Sequence, residues 1–258
     1  MKRRYYNIFQ ADEKAVIMAF DDGVLGQSEL DIPYVLKEAR AGGIDAVLTT
    51  YGIAKYFQKE IGNLGLILRI DRGGSILAPR EGEPGIGYTI EQAIKLGADG
   101  VMCMGFPGTE SDYEMATMMR DLVGLCDEWG LVCAAEMLPC GFSEDPADHS
   151  IPNAKIACRF ASENGVDFIK AQFIGTKDEY AQVVRNAFAP MLILGGGEKS
   201  DREVLQMTHD AMEIGCKGVV YGRNFFNSKH TRKIVRAVCA VVHGGASVDE
   251  AMKLIEAD

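Results

Sequence analysis

Three features of the sequence predict an α/β fold, a single-domain (β/α)8 TIM barrel that spans residues 1–258. Eight short apolar runs recur along the chain, and stretches with helical periodicity separate them. Regular alternation of strand and helix favours parallel pairing with right-handed crossovers. The length of 258 residues is close to the ~250 residues typical of this barrel.

Each apolar run lacks strict alternation of polar and apolar residues, which indicates strands that are covered on both faces. In chain order, the predicted strands are residues 15–23, 45–50, 64–71, 100–106, 131–137, 167–173, 190–196 and 218–223. The predicted helices include residues 88–97, 111–130, 151–165 and 200–216. Several of these helical stretches open with Ser or Asp and close on Gly, as helix caps require.

The main alternative to the barrel is a doubly wound open sheet. Such a sheet usually has fewer strands and a G-x-G-x-x-G loop after the first one, whereas here the first strand ends in FDDG. Two long segments rich in Gly, Pro and charge, residues 70–87 and 138–152, follow predicted strands. In a barrel, loops in these positions either line the active site or are ordinary solvated surface.

The charge balance excludes two classes of partner. Lys and Arg number 27 and Asp and Glu 37, so the formal net charge of −10 repels a nucleic-acid backbone or an anionic membrane. An anionic metabolite can still bind, since backbone N–H groups and one Arg at a helix start form a local positive site. We therefore expect a small-molecule ligand, with neither nucleic acid nor membrane as a partner.

The cysteines indicate a reducing compartment. Their number, seven, is odd and no C-x-x-C occurs, which is typical of buried thiols. The basic N-terminus lacks the apolar segment and cleavage site of a secretion signal, and no apolar run has the length of a membrane span. We expect a cytoplasmic protein.

Lys170 is the most informative residue, because it interrupts the apolar run VDFIKAQFI. An unpaired ammonium is costly to bury. Alternation places Lys170 on the same face as Phe168, which suits the barrel interior. A buried lysine in its neutral form can attack a carbonyl and form a Schiff base, the chemistry of class I aldolases. The alternative is a structural ion pair between Lys170 and a neighbouring carboxylate.

Three carboxylates are candidates for the same end of the barrel. Asp21 and Asp22 follow the first strand, so one faces the interior, where it could transfer protons or hold the Lys170 amine, while the other caps a turn. A turn role for both is the alternative. Glu136 is a lone charge near the end of the fifth strand, and Arg69 and Asp71 share one face of the third, where they can pair with each other. The four His lack ligand spacing, so we expect no metal.

A phosphate site is predicted at the seventh and eighth strands. The segment LILGGGEKS ends a strand in glycines before a helix, and GVVYGRNFF ends the last strand in Gly222 and Arg223. Barrel enzymes commonly bind phosphate at this position, through backbone N–H groups and a helix start. Either glycine cluster alone is more simply a tight turn, but both together favour a phosphate site.

These segments together resemble a known family. Across essentially the whole chain, the sequence is similar to class I aldolases with a (β/α)8 barrel: archaeal-type fructose-bisphosphate aldolases, aminodideoxyheptulosonate synthases and the autoinducer-2 phosphate thiolase. MAFDDG resembles the A-x-D-H-G of this family with Asp21 as the Asp, and FIKAQF resembles its Schiff-base strand with Lys170 as nucleophile. ILGGGEK and YGRNFFNSKH resemble its phosphate segments, which implies Gly196, Gly197, Gly222 and Arg223 as phosphate ligands.

The fifth strand departs from the family pattern W-x-Y-P-R-G, since this chain reads EMLPCG. Glu136 replaces the Trp, Leu138 the proton-donating Tyr and Cys140 the Arg. Either Glu136 takes over proton transfer, or the reaction is one that does not use the Tyr.

The sequence therefore predicts a carbon–carbon lyase that forms an imine on Lys170 without a cofactor. Its substrate would be a phosphorylated ketose, with Asp21 and Glu136 transferring protons. The alternatives are a thiolase or transaldolase-like enzyme acting on a phosphorylated dicarbonyl, a non-catalytic barrel that binds a phosphorylated metabolite, and a metal-dependent aldolase. The resemblance also implies a homo-oligomer, with a ring-based decamer as one form to test.

Overall fold

A computed structural model describes residues 2–21, 30–71 and 85–256, and its eight strands close into one barrel in the order β1 to β8. Each strand is parallel to its neighbours, and β8 pairs with β1. The predicted (β/α)8 fold is confirmed. The strands are β1 (Ala15–Phe20), β2 (Ala46–Thr49), β3 (Gly65–Arg69), β4 (Gly100–Gly105), β5 (Val132–Met137), β6 (Phe168–Gln172), β7 (Met191–Leu194) and β8 (Gly218–Tyr221).

Helices connect the strands and cover the outside of the barrel. Helices α5, α6, α7 and α9 lie within the four helical stretches predicted above. The helices of the described residues are α1 (Tyr5–Ile8), α2 (Ile32–Gly42), α3 (Tyr51–Tyr56), α4 (Gln58–Ile61), α5 (Ile90–Lys95), α6 (Asp112–Trp129), α7 (Ile151–Glu163), α8 (Lys177–Asn186), α9 (Asp201–Glu213), α10 (Arg223–Phe226), α11 (Thr231–Gly244) and α12 (Val248–Glu256).

The strands are buried on both faces because each face packs in a separate apolar cluster. One cluster joins the outward residues of the strands to the helices, and it includes Ile169 and Ala171 of β6. The other fills the barrel interior, as a closed eight-stranded barrel requires. Its strand residues are Ala15, Ile17, Ala19, Ala46, Leu48, Ile67, Met102, Val132, Ala134, Phe168, Leu192 and Val220.

Helix α1 closes the end of the barrel at which the strands begin, which we call the floor. Its residues Tyr5 and Ile8, with the following Phe9, belong to the interior cluster. The rings of Tyr5 and Phe9 stack with centroids 4.2 Å apart, and Phe9 meets Phe168 of β6 edge-to-face at 5.4 Å. The interior is therefore packed from the floor up to Phe168, and the opposite end, which we call the mouth, is left for a site.

A repeated Asp at the floor stands directly before β2, β4 and β6. Asp45, Asp99 and Asp167 each accept a backbone N–H from the preceding odd-numbered strand: Val16, Leu66 and Cys133 respectively. The N-terminal segment binds the same three carboxylates. Gln10 donates to Asp45 at 2.8 Å, Asn7 to Asp99 at 2.7 Å and Lys2 to Asp167 at 2.8 Å.

Some predicted boundaries are too long at the mouth. Strand β1 ends at Phe20, β7 at Leu194 and β8 at Tyr221, two residues or more before the predicted ends. Asp22 and most of the segment 70–87 lie outside the described residues. Within the described residues, no helix is both long and apolar enough to cross a membrane.

Candidate active site

Lys170 lies inside the barrel near the mouth end of β6, one step of the pleat above Phe168. Its side chain is 7% exposed. Glu136 is its register partner on the neighbouring strand β5, so both side chains project into the interior side by side. The Lys170 Nζ donates a hydrogen bond to Glu136 Oε2 at 2.9 Å.

Arg69, at the end of β3, joins the carboxylates that surround Lys170. Its Nε and Nη2 donate to Asp21 Oδ2 at 2.8 and 2.6 Å. The same Nη2 also donates to Glu136 Oε2. The Nη1 lies 3.1 Å from the thioether sulfur of Met104 on β4. One guanidinium therefore bridges carboxylates from β1 and β5.

Asp71 completes this group at the end of β3. Its Oδ2 accepts the backbone N–H of Met104 at 2.7 Å, which extends the contact between β3 and β4 beyond the strand. Its Oδ1 is buried without a hydrogen-bond partner, 3.8 Å from Arg69 Nη1. Burial raises the pKa of Asp71, and the charge of Arg69 only partly opposes this. The predicted pairing of Arg69 with Asp71 is thus the weakest of the Arg69 contacts.

The electrostatics of the group differ between its members. Burial alone would raise the pKa of Asp21, but the nearby charges of Arg69 and Lys170 outweigh it and hold that pKa below its usual range. Burial opposes the charged form of Arg69, yet Asp21 and Glu136 raise the pKa of its guanidinium well above the ordinary value. Asp21 and Arg69 therefore form a permanent ion pair at the mouth.

The residue above Glu136 on β5 is apolar. Leu138 follows the strand, and its backbone N–H still binds Gly105 O of β4 at 3.0 Å. Since Leu138 is two residues after Glu136, its side chain lies on the same face. Cys140 has a positive φ of 57° and its N–H binds Pro107 O at 2.8 Å. The position above Glu136 thus holds no phenol, and Glu136 is the ionisable side chain of β5 that faces Lys170.

The four residues predicted to bind phosphate come together after β7 and β8. Gly196 has a φ of +65°, and its carbonyl accepts a bond from Arg223 Nη2 at 2.9 Å. Gly222 precedes α10, and a Cβ there would lie 3.0 Å from Ala19 O of β1. Gly197 and Arg223 are exposed, and the backbone N–H groups of Gly196 and Gly197 donate no bond within the described chain.

Asn224 holds these two loops together, and the sequence analysis did not single it out. Its buried Nδ2 donates to Gly195 O at 3.1 Å and to Gly197 O at 3.3 Å. Its Oδ1 accepts the backbone N–H of Lys199 at 3.0 Å. The signal was present in the GRN of the last strand, where an Asn follows the predicted phosphate ligand Arg223.

Metal-ligand spacing occurs once within the described residues, in a group formed by His209, Asp210 and Glu213 of α9. Glu213 is already bound by Lys177 at 2.7 Å. The group lies on the last turn of a helix that runs back towards the floor, whereas barrel active sites lie at the mouth. It belongs to the outer surface and does not meet Lys170.

The structure brings Lys170, Asp21 and Glu136 together in one buried group, and Gly196, Gly197, Gly222 and Arg223 in a second one. Arg69 is the residue of the first group to which the sequence analysis gave no functional role. Its third-strand position indicates its face, but only the closed barrel reveals that β1 and β5 supply its partners.

Comparisons with known proteins show the family of the chain. A family model described as DeoC/LacD family aldolase matches residues 15–228. A 2-amino-3,7-dideoxy-D-threo-hept-6-ulosonate synthase of Halobacterium salinarum is 31% identical over 249 residues, covering 95% of this chain and 93% of that protein.

Two solved structures extend the comparison. A Schiff-base-forming fructose-1,6-bisphosphate aldolase, solved with reaction intermediates, is 25% identical with a TM-score of 0.83, covering 93% of this chain and 98% of that one. An archaeal fructose-1,6-bisphosphate aldolase whose catalytic Lys is covalently bound to the carbinolamine intermediate is 26% identical with a TM-score of 0.84, at the same coverage. The chain therefore belongs to the DeoC/LacD family of aldolases and is a carbon–carbon lyase.

Proposed function

We propose that this aldolase forms an imine between Lys170 and a phosphorylated ketose, and cleaves or forms the C–C bond between the carbons α and β to the imine carbon. The observation that carries the proposal is the buried Lys170 Nζ, which lies 2.9 Å from Glu136 Oε2. A lysine beside a proton acceptor is what imine formation needs, because only the neutral amine is nucleophilic. The covalent catalytic Lys of the archaeal relative supports it.

Glu136 starts the reaction by accepting a proton from the Lys170 ammonium. The freed amine attacks the substrate carbonyl carbon, and after proton transfer from nitrogen to oxygen a neutral carbinolamine stands on Lys170. Protonated Glu136 returns its proton to the carbinolamine hydroxyl, which leaves as water and gives the iminium. One proton is moved and one water is released, so Glu136 ends as a carboxylate.

In the cleavage direction, Glu136 then accepts the proton of the substrate hydroxyl beyond the bond to be broken. The C–C bond breaks, its electron pair moves towards the iminium nitrogen to form an enamine, and an aldehyde leaves. The proton held by Glu136 passes to the enamine carbon, and water hydrolyses the resulting imine to release the ketone and Lys170. Leu138 contributes an aprotic wall to these steps.

Asp21 has a different role from Glu136. Because Arg69 and Lys170 keep the pKa of Asp21 low, its carboxylate stays charged through the cycle. A fixed negative charge near Lys170 stabilises the positive iminium more than the neutral carbinolamine, which lowers the barrier between them. The sequence predicts proton transfer by Asp21, and the lowered pKa of its carboxyl group supports this electrostatic role.

The substrate phosphate binds to Gly196, Gly197, Gly222 and Arg223 in this proposal. The free N–H groups of Gly196 and Gly197 and the exposed Arg223 guanidinium are donors of the kind that bind phosphate. The bond from Arg223 to the Gly196 carbonyl shows that both sides of the site reach one another.

Transfer of the enamine to a second carbonyl acceptor is the other candidate reaction. Two observations favour it: the related heptulosonate synthase, and Leu138 in place of the family tyrosine. Incubation with dihydroxyacetone phosphate or fructose 1,6-bisphosphate, with and without an added aldehyde, separates simple cleavage from transfer by the products formed.

Borohydride trapping tests the imine. The protein is mixed with dihydroxyacetone phosphate or with fructose 1,6-bisphosphate, reduced, and weighed as an intact chain before peptide mapping. The wild-type chain and a surface control, Lys177→Met, are expected to carry one adduct on the Lys170 peptide, and Lys170→Met none. Folded wild-type protein without an adduct, or an adduct that persists in Lys170→Met, would contradict the proposal.

We further propose that the enzyme works in the cytoplasm as a homo-oligomer. The seven cysteines are all free thiols and five are buried, which suits a reducing compartment. Light scattering on the eluting protein tests the oligomer, and a decamer mass is one expected value; a monomer would contradict it.

A further inference from the structure

Arg69 is a buried cation with three carboxylates around it, which is a costly arrangement for a protein core. Carboxylates reach it from β1, from the end of β3 and from β5: Asp21, Asp71 and Glu136. Its side chain is 14% exposed. A buried guanidinium carries a large desolvation cost, and replacing such a group with apolar residues often stabilises a protein. Its position beside Lys170 therefore calls for a role in the chemistry.

We propose that Arg69 is a positioning residue for the imine reaction: it holds Asp21 as a permanent carboxylate and Glu136 as an exchangeable one. This inference rests on the proposed function, since it assigns Arg69 to the steps in which Lys170 loses and Glu136 gains a proton. Nothing in it requires Arg69 to touch the substrate.

The hydrogen bonds to the two carboxylates are unequal, and this carries the inference. Asp21 receives two bonds from Arg69, through Nε and Nη2. Glu136 receives one bond from Arg69 and one from Lys170, both on Oε2, and its Oε1 accepts none within the described residues. When Lys170 gives up its proton, Glu136 loses a charged partner, while Asp21 keeps both of its bonds.

The same contacts fix the side chain of Glu136. In the proposed reaction its Oε2 stays on Arg69 Nη2 after Lys170 has become neutral, so the carboxylate keeps its position beside Lys170. Without Arg69, the carboxylates of Asp21, Asp71 and Glu136 would share Lys170 as their cation. A cation beside a carboxylate favours its charged form, typically by ~1–3 pKa units, and neighbouring like charges oppose that form. Loss of Arg69 would therefore favour a protonated carboxyl group beside Lys170, where a proton acceptor is needed.

All groups that face Arg69 within the described chain enter this balance. The charged ones are Asp21, Asp71 and Glu136, with Lys170 beside Glu136. From β4 come the neutral thioether of Met104 and the buried thiol of Cys103, whose raised pKa, due first to burial, keeps it neutral. The carboxylates are therefore the groups that lose a neighbouring opposite charge when Arg69 is removed.

The test is the pH dependence of borohydride trapping on Lys170 with dihydroxyacetone phosphate as the probe. Three variants are compared with wild type: Arg69→Met, Arg69→Lys and the control Lys2→Met. Lys2 matches Arg69 because its ammonium also bridges two carboxylates, Asp127 and Asp167, with 15% exposure, but at the floor. Unfolding curves of all four proteins monitor the fold.

In Arg69→Met we expect the acid side (the acid limb) of the plot of trapping rate against pH to shift by about one unit or more towards higher pH. The trapping rate of this variant should partly recover at high pH. In Arg69→Lys we expect an unmoved limb and a lower turnover number at unchanged KM, because an ammonium cannot bridge both carboxylates with a planar fork. In Lys2→Met we expect the wild-type limb.

Three results overturn the inference. One is an unmoved acid limb in folded Arg69→Met; another is an equal shift in Lys2→Met. If Arg69→Met does not fold, the decision passes to Arg69→Lys, where wild-type turnover and pH profile overturn the inference and the lowered turnover at unchanged KM supports it. Failure of the proposed function is a separate outcome, since wild-type protein would then trap no probe.

Discussion

The floor and the mouth of the barrel contain the same kinds of charged groups but bind them differently. At the floor, each of Asp45, Asp99 and Asp167 accepts a backbone N–H of a strand. At the mouth, Asp21 and Glu136 are bound by the side chains of Arg69 and Lys170. The floor carboxylates are thus part of the sheet, whereas Asp21 and Glu136 are bound to the side chains of other residues at the mouth.

This difference separates stability from chemistry. Protonating a floor carboxylate weakens a strand contact and opens a bond to the N-terminal segment, so it costs stability. Protonating Glu136 leaves every backbone hydrogen bond of the barrel intact. In the proposed reaction, the carboxylates near the exchanged proton therefore have side-chain partners. Asp71 differs from Asp21 and Glu136, because it accepts the backbone N–H of Met104 as the floor carboxylates accept theirs.

The largest expected effect is at the mouth. Glu136→Gln keeps the shape of the side chain and one acceptor for Arg69, but removes the group that accepts the proton of Lys170. We expect turnover to fall by on the order of 10²–10⁴-fold, with little change in melting temperature. Steady-state kinetics and thermal unfolding measure the two. The exposed Glu163→Gln is the control, and a variant as active as wild type would assign proton transfer elsewhere.

A smaller effect is expected at the proposed phosphate site of the mouth. Arg223→Ala removes one charged donor from the phosphate while Asn224 still holds the loops. We expect KM to rise by about 10- to 100-fold for a phosphorylated substrate, the equivalent of ~1.5–3 kcal/mol for one charge-assisted bond, with turnover nearly unchanged. An unphosphorylated analogue should be unaffected. Equal losses for both substrates would contradict phosphate binding.

The floor should respond in stability alone. Asp167→Ala removes the acceptor of the Cys133 N–H and the floor carboxylate that binds Lys2. We expect the free energy of unfolding to fall by about 1–3 kcal/mol, with turnover per folded molecule unchanged. Denaturant unfolding measures it. In Asp127→Ala, which removes the exposed partner of Lys2, the free energy of unfolding should change little. A drop in turnover per folded molecule in Asp167→Ala would contradict the separation of floor and mouth.

The smallest effect depends on pH. At the floor, the hydrogen bond to Asp45 raises the pKa of His243, burial opposes this, and Asp12 adds to the rise. Protonated His243 is the form that binds both carboxylates, so its stabilisation is full below the ordinary pKa of 6.5 and is lost as the pH rises through the higher folded-state pKa.

We therefore expect wild type to lose about 1 kcal/mol or less on going from slightly acid to slightly alkaline pH, and His243→Asn to lose less. Urea unfolding across this range measures the difference. If His243→Asn shows the same dependence of unfolding free energy on pH as wild type, His243 does not cause that dependence.

The sequence predicts the barrel well because its signals are local. Apolar runs, caps and spacing need only neighbouring residues, and the interior face of Lys170 follows from two-residue alternation alone. The floor Asp pattern is also visible, since GIDAV, GADGV and GVDFI each place an Asp before a strand. Sequence reasoning missed its meaning because the partner N–H groups belong to another strand.

The bridge made by Arg69 could not be predicted in the same way. Alternation gives its face but says nothing of which strands lie across the interior, since that depends on the tilt and stagger of the closed barrel. The nearest candidate in sequence was Asp71, and the structure instead gives Arg69 its short bonds to Asp21 and Glu136. The closure of the floor by α1 and Phe9 could not be predicted either, because Phe9 contacts Phe168, which is distant in the sequence.

That closure blocks access to the barrel interior from the floor. With Tyr5 and Phe9 stacked beneath Phe168, nothing can reach Lys170 from below. In the proposed reaction, substrate, the water expelled when the imine forms and the water that later hydrolyses it approach Lys170 from the mouth. The aldehyde, which has no covalent bond to Lys170, would then leave while the imine still holds the other fragment, and hydrolysis would follow from the same side.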